Sequence, residues 1–82
     1  MDLRETVEMM LSDKYAERLA AEYYQLEIRY IALAKAIRDY ERGEASVEIG
    51  CNIRMLREQL DLMAKYLSVL ELRCEIEGVK LC

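Results

Sequence analysis

The chain has no proline, histidine, tryptophan or phenylalanine, and only three glycines in 82 residues. Without proline and with so few glycines, nothing breaks a helix over long stretches. The turn-dense punctuation of a β-sandwich or barrel is missing too. The lack of histidine removes the commonest general base and the commonest metal ligand, so an E-x-x-H metal pattern cannot form. Three cysteines, Cys51, Cys74 and Cys82, are an odd number with no C-x-x-C spacing, and read as reduced thiols of a cytoplasmic protein. No apolar run approaches the roughly 18 residues that cross a bilayer, and four charges within Met1 to Leu11 argue against a secretion signal. A net charge of -4 disfavours a broad electrostatic footprint on duplex nucleic acid.

What remains is rich in helix formers, with 54% hydrophobic and 34% charged residues. That balance is too apolar for disorder and predicts an all-α fold. A chain this short buries little surface alone, so assembly is expected.

Three segments follow. Residues 1–11 read as a short N-terminal helix or a frayed arm, with Asp2 and Glu5 in capping-box spacing and Leu3, Val7 and Met10 on one side. Residues 12–82 read as an antiparallel two-helix hairpin. Ser12 or Asp13 caps a helix over 13–42, residues 43–51 connect, a second helix over 52–77 starts from Asn52, and 78–82 form a tail.

The first long helix carries Ala16, Leu19, Tyr23, Leu26, Tyr30, Leu33, Ile37 and Tyr40 at alternating steps of three and four; the second carries Ile53, Leu56, Leu60, Met63, Leu67, Leu70 and Cys74. Both are heptad ladders. Antiparallel partners have residue numbers that add to a constant. Every pair from Tyr40 with Ile53, through Tyr30 with Met63, to Leu19 with Cys74 obeys this. The hairpin register is thereby specified.

Each long helix has a further apolar strip: Ala20, Tyr24, Ile28, Ile31 and Ala34 on one flank, and Met55, Leu62, Val69 and Ile76 on the opposite one. Two strips on opposite sides favour a closed homo-oligomer larger than a dimer, with a two-fold four-helix dimer as the simpler alternative. Ala20, Ala34 and Ala64 would let a neighbouring helix approach closely.

Asn52, Gln59, Tyr66 and Arg73 recur every seven residues beside the second seam, and Arg29 and Glu22 face Tyr66 and Arg73 across the hairpin. One reading is structural: a Glu22–Arg73 ion pair, and a Tyr66 hydroxyl meeting Arg29. The other is a ligand pocket between subunits, with Tyr66 stacking on a base, Arg73 and Arg29 holding phosphates, and Gln59 reading a polar edge. There are six tyrosines and no phenylalanine, although a structural seam would accept phenylalanine at 23, 30 and 40. Near the hairpin turn, Lys35, Arg38, Arg42, Arg54 and Arg57 gather with interleaved carboxylates, which reads as a solvated, salt-bridged end. No phosphate loop or nucleophile motif is present, so no enzyme activity, cofactor or metal is expected.

The stretch Lys14 to Leu19 with Glu22-Tyr23, Leu26 and Arg29-Tyr30, followed by Leu56 to Leu60, Met63, Tyr66-Leu67, Leu70-Glu71 and Arg73 through Gly78, resembles a family of short helical phage and prophage proteins described as related to a crAss-like phage reading frame. By build, the chain is also similar to phage sponge proteins that sequester nucleotide signals of bacterial immunity. That resemblance implies a cytoplasmic anti-defence protein that binds a cyclic oligonucleotide or a cyclic ADP-ribose type signal without catalysis. A helical adaptor that binds a host protein is the alternative.

Overall fold

The computed structural model describes residues 1–44, 50 and 52–81. Readings that fall on Val47, Ile49, Cys51 and Cys82 lie outside the described residues. The fold is all-α, with α1 over Leu3–Met10, α2 over Tyr15–Glu41 and α3 over Ile53–Glu77. Among the described residues, no helix is long and apolar enough to cross a membrane.

Local chemistry sets the helix ends. Asp2 and Glu5 form the reciprocal capping box that starts α1. The cap of α2 falls on Lys14, not on Ser12 or Asp13, and its side chain makes no capping bond. Ser12 is used in the connection instead: its hydroxyl accepts from the Lys14 amide at 3.1 Å, and its carbonyl accepts from Arg18 at 2.7 Å. Asn52 caps α3 by accepting from the Arg54 amide at 2.8 Å. Gly78 ends α3 at φ 73°, a left-handed conformation that costs a residue with a Cβ about 1 kcal/mol or more. The chain then folds back, with the Val79 amide donating to the Cys74 carbonyl at 2.8 Å.

The two long helices pack against each other as a hairpin, and α1 packs on α2 alone. Leu19, Leu70 and Cys74 form the tightest part of the core, with Tyr23, Leu26, Val79 and Leu81 against them. This cluster joins the start of α2 to the end of α3, and the folded-back tail closes it. Burial and the nearby Glu77 carboxylate push the Cys74 thiol above its usual range, so it stays protonated and unreactive. Toward the turn Ile37 stays buried, but the seam around it is looser: Leu33, Leu56 and Leu60 are half-buried and Tyr40 is exposed, as befits two helices that lack a third against them.

The outer strip of α2 is not left open as expected. Ala20, Ala21 and Tyr24 are buried, because α1 lies over this flank of α2. Two small residues, Thr6 on α1 and Ala21 on α2, have no accessible surface. Thr6 satisfies its hydroxyl within its own helix by donating to the Leu3 carbonyl at 2.6 Å. Small residues at a crossing let two backbones approach closely, so the neighbour that Ala20 invites is the chain's own first helix. Being eight residues long, α1 spans only about 12 Å, and Ile31 beyond it remains exposed. Its own apolar side, Leu3, Val7, Met10 and Leu11, faces outward. On α3 the strip of Met55, Leu62, Val69 and Ile76 is uncovered, at 55–75% exposure.

Candidate functional site

The flank opposite α1 carries the polar row. On α3 it consists of Gln59, Tyr66 and Arg73, one heptad apart, so each sits almost directly above the last. On α2 the corresponding positions are Tyr15, Glu22 and Arg29, also one heptad apart.

The structure pairs these residues differently from the expected scheme. Tyr66 donates its hydroxyl proton to Glu22, not to Arg29. Arg73 does not pair with Glu22: its Nη2 donates to the Tyr15 hydroxyl at 2.8 Å, and its Nε lies 3.5 Å from the Glu77 carboxylate on the next turn. The physical reason is the choice of acceptor. A phenol bonds more strongly to a carboxylate than to a guanidinium, toward which it can only accept. Arg73 takes the Tyr15 oxygen and its own-helix carboxylate instead. The Tyr15 hydrogen bond, followed by Glu77, holds the Arg73 guanidinium charge more firmly than usual.

Both bonds connect positions one heptad along from the expected partners, so the row is a ladder with a regular step. Arg73 joins Tyr15, Tyr66 joins Glu22, and the next step sets Gln59 of α3 beside Arg29 of α2. That rung is open. Arg29 and Gln59 are exposed and make no hydrogen bond or ion pair with any described residue. The ladder thus presents a fixed tyrosine ring with 45% of its surface exposed, a positioned arginine, a free arginine and a free amide along one solvent-open strip. Such a set suits a ligand with a planar ring, a polar edge and anionic groups.

Tyr15 and Glu77 were not among the candidate binding residues read from the sequence. The signal for Tyr15 was present, since it lies one heptad before Glu22, and Glu77 lies four residues after Arg73, the spacing of helix ion pairs.

The other flank has its own polar contact. The Tyr23 hydroxyl lies 2.9 Å from a Glu27 oxygen and 3.0 Å from a Glu71 oxygen, so its single proton is shared between carboxylates on the two helices. Burial, reinforced by both carboxylates, holds this hydroxyl protonated far above the usual tyrosine range. Phenylalanine at 23 is therefore not an equivalent choice. Near the turn, Lys35 pairs with Asp39 at 2.6 Å and Arg57 with Glu41 at 3.0 Å, so part of the basic group is spent in local ion pairs. The Lys35 hydrogen bond keeps the Asp39 carboxyl below its ordinary range. Among the described residues there is no group of three side chains suited to hold a metal ion.

A family model described as Sequestin matches residues 13–76, most of the chain and all of the ladder from Tyr15 to Arg73. The chain belongs to the Sequestin family. The match starts after α1, so the hairpin is the part it covers, and α1 stands outside it. No curated protein and no solved structure matches the chain.

Proposed function

We propose that this Sequestin-family protein captures a small nucleotide signal of bacterial immunity, of the cyclic oligonucleotide or cyclic ADP-ribose type, and holds it without turnover. The observation that carries this reading is the ladder on the flank opposite α1, with its open Arg29–Gln59 rung next to the exposed Tyr66 ring. The family name supports it, because it denotes sequestering and not transformation. A sponge needs affinity and no reacting group, and the ladder supplies stacking and charge with its acidic partners already engaged. Arg29 is the residue best placed to meet a phosphate, since nothing in the described chain competes for it. Tyr66 offers a ring fixed by Glu22, so little conformational freedom is lost when a base stacks on it. Gln59 supplies both a donor and an acceptor for a base edge.

Titration calorimetry against cyclic dinucleotides and cyclic ADP-ribose isomers tests the proposal. Binding of one class is expected, with Arg29→Ala and Gln59→Ala each weakening it about tenfold or more, as loss of a charge-assisted or edge-reading bond does. Absence of heat with every member of the panel would sink the reading.

An adaptor reading is favoured by one separate feature. Arg54 near the hairpin turn makes no ion pair with the described residues, and together with Arg38 and Arg42, whose charges act on Asp39, it could meet an acidic host protein. Recovery from host lysate of one stoichiometric protein, lost in an Arg54→Glu/Arg57→Glu variant, would support it over the sponge.

A further inference from the structure

The chain exposes 6296 Å², whereas a folded monomer of its 9.6 kDa mass exposes about 5,100 Å². The excess, about 1,200 Å², is larger than the roughly 800 Å² that each partner contributes to a standard interface. Its longest row of exposed apolar residues lies on α3. Met55, Leu62, Val69 and Ile76 are 62, 58, 55 and 75% exposed and one heptad apart. With Asn52, Gln59, Tyr66 and Arg73 between them, they make a second ladder with alternating steps of three and four, turned away from the hairpin seam. A heptad ladder is the footprint of another helix.

We propose that the occupant is α3 of a second copy of this chain, running antiparallel about a two-fold axis at the level of residue 64. In that register the whole ladder is matched: Asn52 opposes Ile76, Met55 opposes Arg73, Gln59 opposes Val69 and Leu62 opposes Tyr66, each pair occurring twice. A slip of one heptad in either direction leaves Met55 or Ile76 unmatched. A parallel arrangement sets Arg73 against Arg73, like charges at one level, and is disfavoured. The antiparallel one lays the Arg73 stem over Met55 and one face of the Tyr66 ring over Leu62, contacts between apolar surfaces that leave the other face of the ring and the polar tips at the edge.

Charge complementarity supports the same register. Within the hairpin, Glu22 and Tyr66 each precede a seam residue, Tyr23 and Leu67, and they bond across the flank. Glu58 and Lys65 precede the ladder residues Gln59 and Tyr66, and stand in that same relation across the two-fold axis. Both are exposed and neither has an ion-pair partner among the described residues. The dimer thus gains two symmetric Glu58–Lys65 pairs. With α1 covering Ala20 and Tyr24 of the strip on α2, the α3 ladder is the longer open row, and a two-fold dimer is the assembly that it favours. A consequence that rests on the proposed function is that Tyr66 and Arg73 of the partner subunit come within about a turn of the open Arg29–Gln59 rung, so each dimer would hold two shared ligand sites.

Sedimentation equilibrium of the full chain without ligand tests the dimer independently of any ligand. A dimer at micromolar concentration is expected, and Leu62→Glu/Val69→Glu should convert it to a monomer that keeps its helical circular dichroism. Glu58→Lys or Lys65→Glu alone should weaken association about tenfold, and the two together should restore it. A monomeric wild-type chain overturns the proposal. So does a dimer indifferent to Leu62→Glu/Val69→Glu, which would place the interface on the outward side of α1, or a charge pair whose double exchange restores nothing.

Discussion

Tyr66 of α3 donates its hydroxyl proton to Glu22 of α2, and that single bond sets the step of the whole polar row. It ties the two long helices together outside their apolar seam and holds an aromatic ring in place on the surface.

Removing this bond should cost a modest and measurable amount. Tyr66→Phe and Glu22→Ala are each expected to destabilise the hairpin by about 0.5–1.5 kcal/mol. Chemical denaturation should show strong non-additivity between them, while Tyr66→Phe and Arg29→Ala should add independently. Coupling of Tyr66 to Arg29 in place of Glu22 would contradict the observed pairing.

Tyr23 predicts a pH dependence. Its hydroxyl holds its proton in the folded state far above the usual range, so the folded chain binds more protons than the unfolded chain once pH exceeds about 10, the ordinary tyrosine value. The stabilisation is therefore fully present below that pH and is lost as pH rises from there through the raised folded value. Urea midpoints measured from pH 8 upward should fall above about pH 10. Tyr23→Phe should be less stable at pH 8, since Glu27 and Glu71 then face each other without the shared proton, and should show a flatter alkaline decline. An unchanged alkaline profile in Tyr23→Phe would place the effect elsewhere.

The docking of α1 depends on a residue with no room around it. Thr6→Arg forces a long charged chain into the packed contact of α1 with α2, so α1 should release while the hairpin persists. Hydrogen exchange should rise over residues 3–10, and the surface of Ala20 and Tyr24 should open, with protection of α3 unchanged. Thr6→Val, which keeps the shape and loses only the bond to the Leu3 carbonyl, should retain the docked state. Release by Thr6→Val, or none by Thr6→Arg, would contradict this crossing.

These contrasts show what was legible in the sequence. Packing of the two long helices followed from apolar residues at heptad spacing, because Leu19, Leu70 and Cys74 are core for the same reason that they repeat. Thr6 and Ala21 carry no such signal: a small or polar residue at a helix crossing looks like any surface position, so the sequence left Ala20 and Tyr24 uncovered. The ladder was half legible. Heptad spacing put Gln59, Tyr66 and Arg73 in one row, but flank partners across an antiparallel pair come in two sets one heptad apart. Spacing alone does not choose between them; donor and acceptor chemistry did.

Capture without conversion is read from the fate of the ligand. The purified protein is incubated with a mixture of cyclic dinucleotides and cyclic ADP-ribose isomers, filtered, and heated, and the nucleotides in the filtrate and the heat-released fraction are measured by mass spectrometry. One class should be depleted from the filtrate and recovered on heating, chemically intact and in proportion to protein, with Arg29→Ala abolishing most of the uptake. Recovery of a cleaved or altered nucleotide, or no depletion of any, would contradict it.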